Sequence, residues 1–244
     1  MQPREAIRIV RHPRARRLRL RLDLATGELV LTLPRRASRT EALCFLEAQR
    51  EWIEGQRARI APPVPFAPGI VLSILGEDVT LVHAPAQRGG AVWADGSLIV
   101  GGSLPSFARR VRDAIKARAL ASFTMQAADL SKELELDPPA LKLRDTRSRW
   151  GSCTATGQIQ LSWRLAFAPA DVARYVIAHE VAHRRELNHS PRFWQIVAQL
   201  VGDNRSQRRW LTQEGYKLLR LGVADLPQNS HLVEENGFLQ LQRV

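Results

Sequence analysis

Ala170-Asp171-Val172-Ala173-Arg174-Tyr175-Val176-Ile177-Ala178-His179-Glu180-Val181-Ala182-His183 is the stretch on which the fold turns. It is apolar almost all round, the pattern of a buried helix, and Pro169 suits the first helical position, where a missing N–H leaves nothing unpaired. The spacing predicts a helix from Pro169 through Leu187. Ionisable groups on such a helix are costly unless paired or bound to a metal, so His179, Glu180 and His183 need a purpose. Positions i and i+4 lie ~40° apart around a helix, so both imidazoles point one way and can share one Zn²⁺ at ~2.0 Å. Glu180, one position round, can reach a metal-bound water without being a ligand. With six His and fourteen Glu in 244 residues, roughly 0.008 occurrences of the HExxH pattern are expected by chance. Composition alone does not account for it.

A third ligand is needed, and His189 follows six residues after His183. Asn188 tolerates a left-handed conformation, while Ser190 and Pro191 have the chemistry to begin the next helix. His189 therefore sits at a corner from which it can turn back to the metal. Glu186 shares the helical face of His179 and His183. It is either a ligand in place of His189 or a carboxylate orienting an imidazole or paired at the surface, and the latter is the preferred reading. The spacing of the histidines matches the metzincin pattern HExxHxxGxxH, but Glu186 stands at the glycine and the only methionines are Met1 and Met125. A downstream Met-turn is thus impossible, and the chain is not a metzincin.

Outward from the helix, Arg147-Ser148-Arg149-Trp150-Gly151-Ser152-Cys153 has two readings. Arg147 and Arg149 can contact a substrate carboxylate or phosphate, Trp150 can offer a stacking surface, and Gly151 allows close backbone approach. Alternatively the segment is a structural strand and turn packed under the metal helix. Cys153 is not needed as a ligand, since three histidines and a water fill a catalytic zinc. Phe193, Trp194, Trp163 and Trp210 read as core. A helix is expected from Ser106 to about Gln126, short strands at Leu141–Leu143 and Gln158–Trp163, and helices from Ser190 to Leu200 and from Asp203 to about Leu219.

The first hundred residues have another texture. Leu18 to Leu24 alternates with Arg19 and Arg21, Ala25-Thr26-Gly27-Glu28 is a turn, and Leu29 to Leu33 alternates again, which predicts a hairpin. A helix over 38–61 follows, then the proline-rich connection Pro62–Pro68. Strands are expected at Ile70–Leu75 and Val79–His83, with a hairpin of Ala91–Ala94 and Ser97–Val100 about Asp95-Gly96. Residues 1–36 hold ten arginines against Glu5, Asp23 and Glu28, so +7 of the chain's +12 lies there. That face is either a solvated, edge-protecting surface or a contact for a polyanion such as nucleic acid.

With 45% hydrophobic residues the chain can bury a core, which excludes wholesale disorder. Cys44 and Cys153 form no CxxC pair, so a disulfide framework and a cysteine-built zinc ribbon are excluded and a reducing compartment is expected. No signal-like or membrane-length apolar run is present, and the expected location is the cytoplasm.

Arg147 to Cys153, the short strand, His179-Glu180-Val181-Ala182-His183, and then Asn188-His189-Ser190-Pro191-Arg192-Phe193-Trp194 together resemble the YgjP-like metal-dependent hydrolases. These are bacterial zincins related to SprT-type and WSS-type metalloproteases. The resemblance covers about residues 1–215 and is most specific over 145–195. It implies a zincin-like core in which His179, His183 and His189 bind zinc and Glu180 is catalytic. Some relatives are linked to hydrolysis of nucleoside triphosphates, which keeps a phosphohydrolase as the alternative. A basic nucleic-acid-associated protein with a secondary zinc site is a further one.

The expectation is therefore an α+β protein. A β-rich basic region spans 1–104, a zincin-like catalytic domain 105–219, and a tail 220–244. The expected activity is that of a zinc metallopeptidase on protein or peptide substrates: zinc acidifies a bound water and polarises the scissile carbonyl, and Glu180 carries the proton to the leaving group.

Overall fold

A computed structural model describes residues 6–23, 27–58, 61–223 and 238–240. Its contacts group the chain into two units, Met1–Val64 with Val223–Val244, and Pro65–Gly222. The sheet strands between residues 71 and 100 thus belong with the helices that follow them, whereas the sequence reading draws its boundary at 104. Among the described residues no helix is long and apolar enough to cross a membrane.

In the first unit, β1 (Ala6–Arg11), β2 (Arg19–Leu22) and β3 (Leu29–Leu33) form a four-stranded sheet with a short strand at Phe238–Gln240, in the order Phe238–Gln240, β1, β3, β2. β2 and β3 make the expected hairpin, with Arg19 opposite Thr32 and Leu22 opposite Leu29. Ala25 and Thr26 of its turn lie outside the described residues. β1, which no local turn signal announces in the sequence, runs parallel to β3, and Phe238–Gln240 pairs on its other side. The tail therefore contributes to this sheet. Ile7, Leu29, Leu31 and Leu33 point to one face, where Ala42, Leu46 and Ile53 cover them. Those last residues come from α1 (Arg39–Ala48) and α2 (Arg50–Ala58). The helix expected over 38–61 is thus broken after Ala48. α1 starts as predicted at Ser38, whose hydroxyl accepts from the Glu41 N–H while the Glu41 carboxylate accepts from Ser38 N–H.

In the second unit, β4 (Val71–Ile74), β5 (Glu77–His83), β6 (Ala91–Ala94) and β7 (Ser97–Val100) form a sheet ordered β4-β5-β7-β6. Asp95 and Gly96 take φ of 40° and 70°, as a tight two-residue hairpin requires. The long α3 (Leu104–Glu133) begins earlier and ends later than expected, because Pro105 occupies the first turn and the apolar positions continue past Gln126. Its buried side chains Phe107, Val111, Ile115, Ala119, Phe123 and Ala127 recur every fourth residue. Such a stripe drifts ~40° around the helix at each step. It therefore faces β5 and β7 near its start, β8 (Leu141–Arg144) and the 3-10 turn Trp163–Phe167 midway, and α4 (Ala170–Ala182) near its end. β9 (Gly151–Cys153) and β10 (Ile159–Ser162) complete a three-stranded sheet ordered β8-β10-β9. Beyond α4 come α5 (Pro191–Val201), α6 (Arg205–Gln213) and α7 (Gly215–Leu218). α4 packs on α3, α5, α6, β9 and β10, so its apolar circumference is explained by neighbours on every side.

Two helix ends differ from the expectation and both shape the site. α4 stops at Ala182 and not at Leu187; the N–H groups of Arg184 and Arg185 bond three residues back, to the Val181 and Ala182 carbonyls, tightening the end into a turn. Arg184 then donates to the Asp137 carbonyl at 2.7 Å, and Arg185 to the carbonyls of Leu134 and Glu135 just beyond α3. The chain after the helix is thereby tied down. The single helix expected from Asp203 to Leu219 breaks at Glu214. A Cβ on Gly215 would lie 3.0 Å from Cζ2 of Trp150, so the glycine leaves room for that ring.

Candidate metal centre

The site is built on the last turn of α4 and the corner before α5. Ser190 caps α5, accepting the Phe193 N–H at 3.3 Å, and Pro191 opens it, as the sequence predicts. That cap fixes His189 one residue upstream and turns it towards α4. His179 Nε2 and His189 Nε2 lie 3.1 Å apart, and one nitrogen from each of His179, His183 and His189 falls within 4.8 Å of the others. Two ligand nitrogens ~2.0–2.1 Å from a tetrahedral ion are about 3.4 Å apart, so the His179–His189 spacing fits a shared ion. His183 uses its other ring nitrogen, Nδ1, on the Glu186 carbonyl at 3.1 Å, which leaves Nε2 for a metal. His179 Nδ1 is buried with no protein partner.

Phe193 is what the three rings share. Its centroid lies 4.8, 4.5 and 4.7 Å from those of His179, His183 and His189, and it is fully buried. The sequence predicts Phe193 as core, and its ring is in contact with all three imidazoles as well. Burial, then the charges of His183, His189 and Arg208, pushes the His179 pKa down to about 4. Burial also lowers that of His183. Both imidazoles are therefore neutral at neutral pH, which is the form a metal needs.

Glu180 lies against Gly151 of β9. It is 5% exposed, and burial pushes its pKa up to about 7 against the opposing pull of the Arg149 guanidinium. One carboxylate oxygen, Oε2, is buried and has no hydrogen-bond partner. A Cβ added to Gly151 would stand 2.6 Å from Glu180 Cγ, so the glycine makes space for this carboxylate. Close approach at Gly151 was legible as a possibility, but its object is the protein's own glutamate.

The other singled-out residues divide. Arg149 is exposed and within electrostatic reach of Glu180. Arg147 is exposed as well. Trp150 is half-buried against Gly215. Glu186 does orient His183, but through its main-chain carbonyl and not its carboxylate, and it is outside the histidine group. Burial, with the nearby Glu180 charge, raises the Cys153 pKa and keeps it a thiol. Arg208 also belongs to the surroundings of the site: it lies 4.7 Å over the Trp194 ring and within electrostatic reach of His179. Nothing in its local sequence separates it from the other arginines.

Three imidazoles converging beside a buried carboxylate, in a mixed α+β unit, are the arrangement of a metal-dependent hydrolase. The YgjP-like metallopeptidase domain matches residues 16–214, and the chain belongs to that family. Among solved structures, the metallopeptidase zymogen of Pyrococcus abyssi abylysin is similar at 20% identity, covering 39% of this chain and 95% of that one, with a TM-score of 0.34. No curated protein matches the sequence.

Proposed function

We propose that the chain is a zinc-dependent peptidase in which His179, His183 and His189 hold the ion and Glu180 moves the proton. The observation that carries this reading is the convergence of three imidazole nitrogens within 4.8 Å, next to a buried carboxylate with an unpartnered oxygen. A set of three imidazoles with a position left open suits zinc better than the oxygen-seeking cations. Bound there, zinc would supply Lewis acidity that acidifies a water and polarises a peptide carbonyl.

The chain's own part is proton transfer and positioning. Glu180 Oε2 accepts a proton from the attacking water as the water oxygen bonds to the carbonyl carbon. The carboxyl group then returns that proton to the departing amine nitrogen as the C–N bond breaks. A carboxylate with its pKa near 7 is matched to both steps at neutral pH. Gly151 leaves the carboxylate its place, and Phe193 packs against the three rings. Arg149 and Arg147 offer guanidinium forks to a carbonyl or carboxylate of the substrate. Beside His183 a cleft of about 350 Å³, lined by Thr154, Thr156, Gly157, Arg184 and Leu187, gives a chain room to lie.

Zinc analysis of the purified protein tests the ligand set. About one ion per chain is expected, lost in His179→Ala, His183→Ala and His189→Ala. Full occupancy in His189→Ala with loss in Glu186→Ala would overturn the assignment of the third ligand.

A further inference from the structure

The basic excess of the first unit is not used by the metal centre, and the sheet topology gathers much of it in one place. β1 and β3 are parallel, so their C-terminal ends, Arg11 and Leu33, lie side by side. β2 is antiparallel to β3, so its first residue, Arg19, opposite Thr32, starts at that same end. The segments 12–18 and 34–38 therefore emerge together. Arg11 joins them, donating to the carbonyls of Arg35 and Ala37 at 3.2 and 2.9 Å, while His12 N–H bonds the Leu33 carbonyl at 3.0 Å. Arg14, Arg16, Arg17, Arg19, Arg35 and Arg36 are all exposed around this end. Residues 11–22 and 33–40 contain no Asp or Glu, and none of the six guanidiniums has an ion-pair partner among the described residues.

Protection of a sheet edge explains only part of this. β2 is the edge strand, so Arg19 and Arg21 serve that purpose. Arg14, Arg16, Arg17, Arg35 and Arg36 lie in connections, where there is no strand edge to guard. Their mutual repulsion opposes folding and calls for a multivalent anion to relieve it. We propose that this end of the sheet binds the phosphate backbone of double-stranded nucleic acid, without preference for sequence. Guanidinium forks match phosphate oxygens in pairs, and the two strands of a duplex present closely spaced phosphates to a patch of this kind. Single strands are held by stacking on aromatic rings, and residues 6–23 and 27–40 contain no Phe, Tyr or Trp and one imidazole, His12, whose Nδ1 accepts the Arg14 N–H. A membrane surface needs apolar side chains between the charges, but Leu18 and Ala37, which lie among them, pack on the core.

The test is fluorescence anisotropy of a labelled 30-base-pair duplex of random sequence, titrated with the full chain between 50 and 200 mM NaCl. With about six phosphate contacts the wild-type affinity should fall roughly 10³-fold over that range. In the chain carrying Arg14→Gln, Arg16→Gln, Arg17→Gln and Arg19→Gln about two contacts remain, so the fall should shrink to about 10-fold. The same four positions changed to Lys should keep most of the salt dependence, and thermal melts should show all three proteins folded. Absence of duplex binding at 50 mM salt, or a salt slope unaltered in the Gln variant, would overturn the proposal. So would tighter binding to a single strand of equal length, or to phosphatidylserine–phosphatidylcholine vesicles.

Discussion

Replacing Gly151 by alanine puts one methyl group where the Glu180 side chain now lies. Gly151 is not among the glycines with positive φ, so alanine suits the backbone and the perturbation is steric. The added carbon would stand 2.6 Å from Glu180 Cγ, against ~3.5–4.0 Å for ordinary carbon contacts. Glu180 must therefore retreat by about 1 Å. It has little room to do so, because it is nearly buried and α4 is packed on both sheet and helices. A displacement of about 1 Å at a reacting group costs on the order of 10²-fold in rate, or about 2.7 kcal/mol of transition-state stabilisation. The nearest atoms to the added methyl all belong to Glu180 and none to the three histidines, which should keep their ion. The assay is kcat/KM on an unfolded protein substrate, with zinc content and thermal melting measured on the same preparation. Gly151→Ala should lose about 10²-fold in kcat/KM with zinc retained, and adding it to Glu180→Gln should cost little more, since both act on one carboxylate. Turnover within twofold of wild type, or a loss that simply adds to that of Glu180→Gln, would refute the reasoning.

Phe193→Ala should destabilise the protein by about 3–5 kcal/mol and weaken zinc binding about 10- to 100-fold, with Phe193→Leu intermediate; unchanged affinity by chelator competition would deny the ring its positioning role. In metal-free protein Glu180 keeps a proton when folded that it loses when unfolded between pH 4.5 and about 7. The resulting loss of stability as pH rises, on the order of 3 kcal/mol, opposes the gain from His179 and His183, whose lowered pKa values make stability to urea rise with pH over much of the same range, so stability should rise more steeply with pH in Glu180→Gln than in wild type; an identical pH dependence in the two proteins would contradict it. Arg149→Gln removes a charge that holds the Glu180 pKa down, so the acid limb of kcat/KM should move to higher pH; a limb that stays in place would show that Arg149 acts elsewhere.

What the sequence made legible follows from which interactions are local. The helix carrying His179 and His183, the Ser190-Pro191 start and the Asp95-Gly96 hairpin depend on a few neighbouring residues, and the structure has them where the spacing puts them. The corner that holds His189 is local too. The end of α4 was less legible, because it is set by Arg184 and Arg185 reaching carbonyls about fifty residues away near the end of α3. β1 escaped because its pairing is parallel to a strand beyond the intervening hairpin arm, with no turn to announce it. The same holds inside the site. Glu180 could be named from its offset, but its unusual basicity comes from burial under β9, and Gly151 and Phe193 gain their places only when distant segments meet.

The most direct test compares wild type and Glu180→Gln, each shown to carry one zinc per chain, in the cleavage of a reduced, unfolded protein at neutral pH. The amide cannot accept a proton from the attacking water, and its side chain fills the same space. Wild type should cleave, and Glu180→Gln should be reduced to background with its zinc and melting behaviour intact. Equal cleavage by the two proteins would contradict the assignment of Glu180. Rapid, Glu180-dependent release of pyrophosphate from nucleoside triphosphates, with no cleavage of protein under the same conditions, would replace the peptidase by a phosphohydrolase.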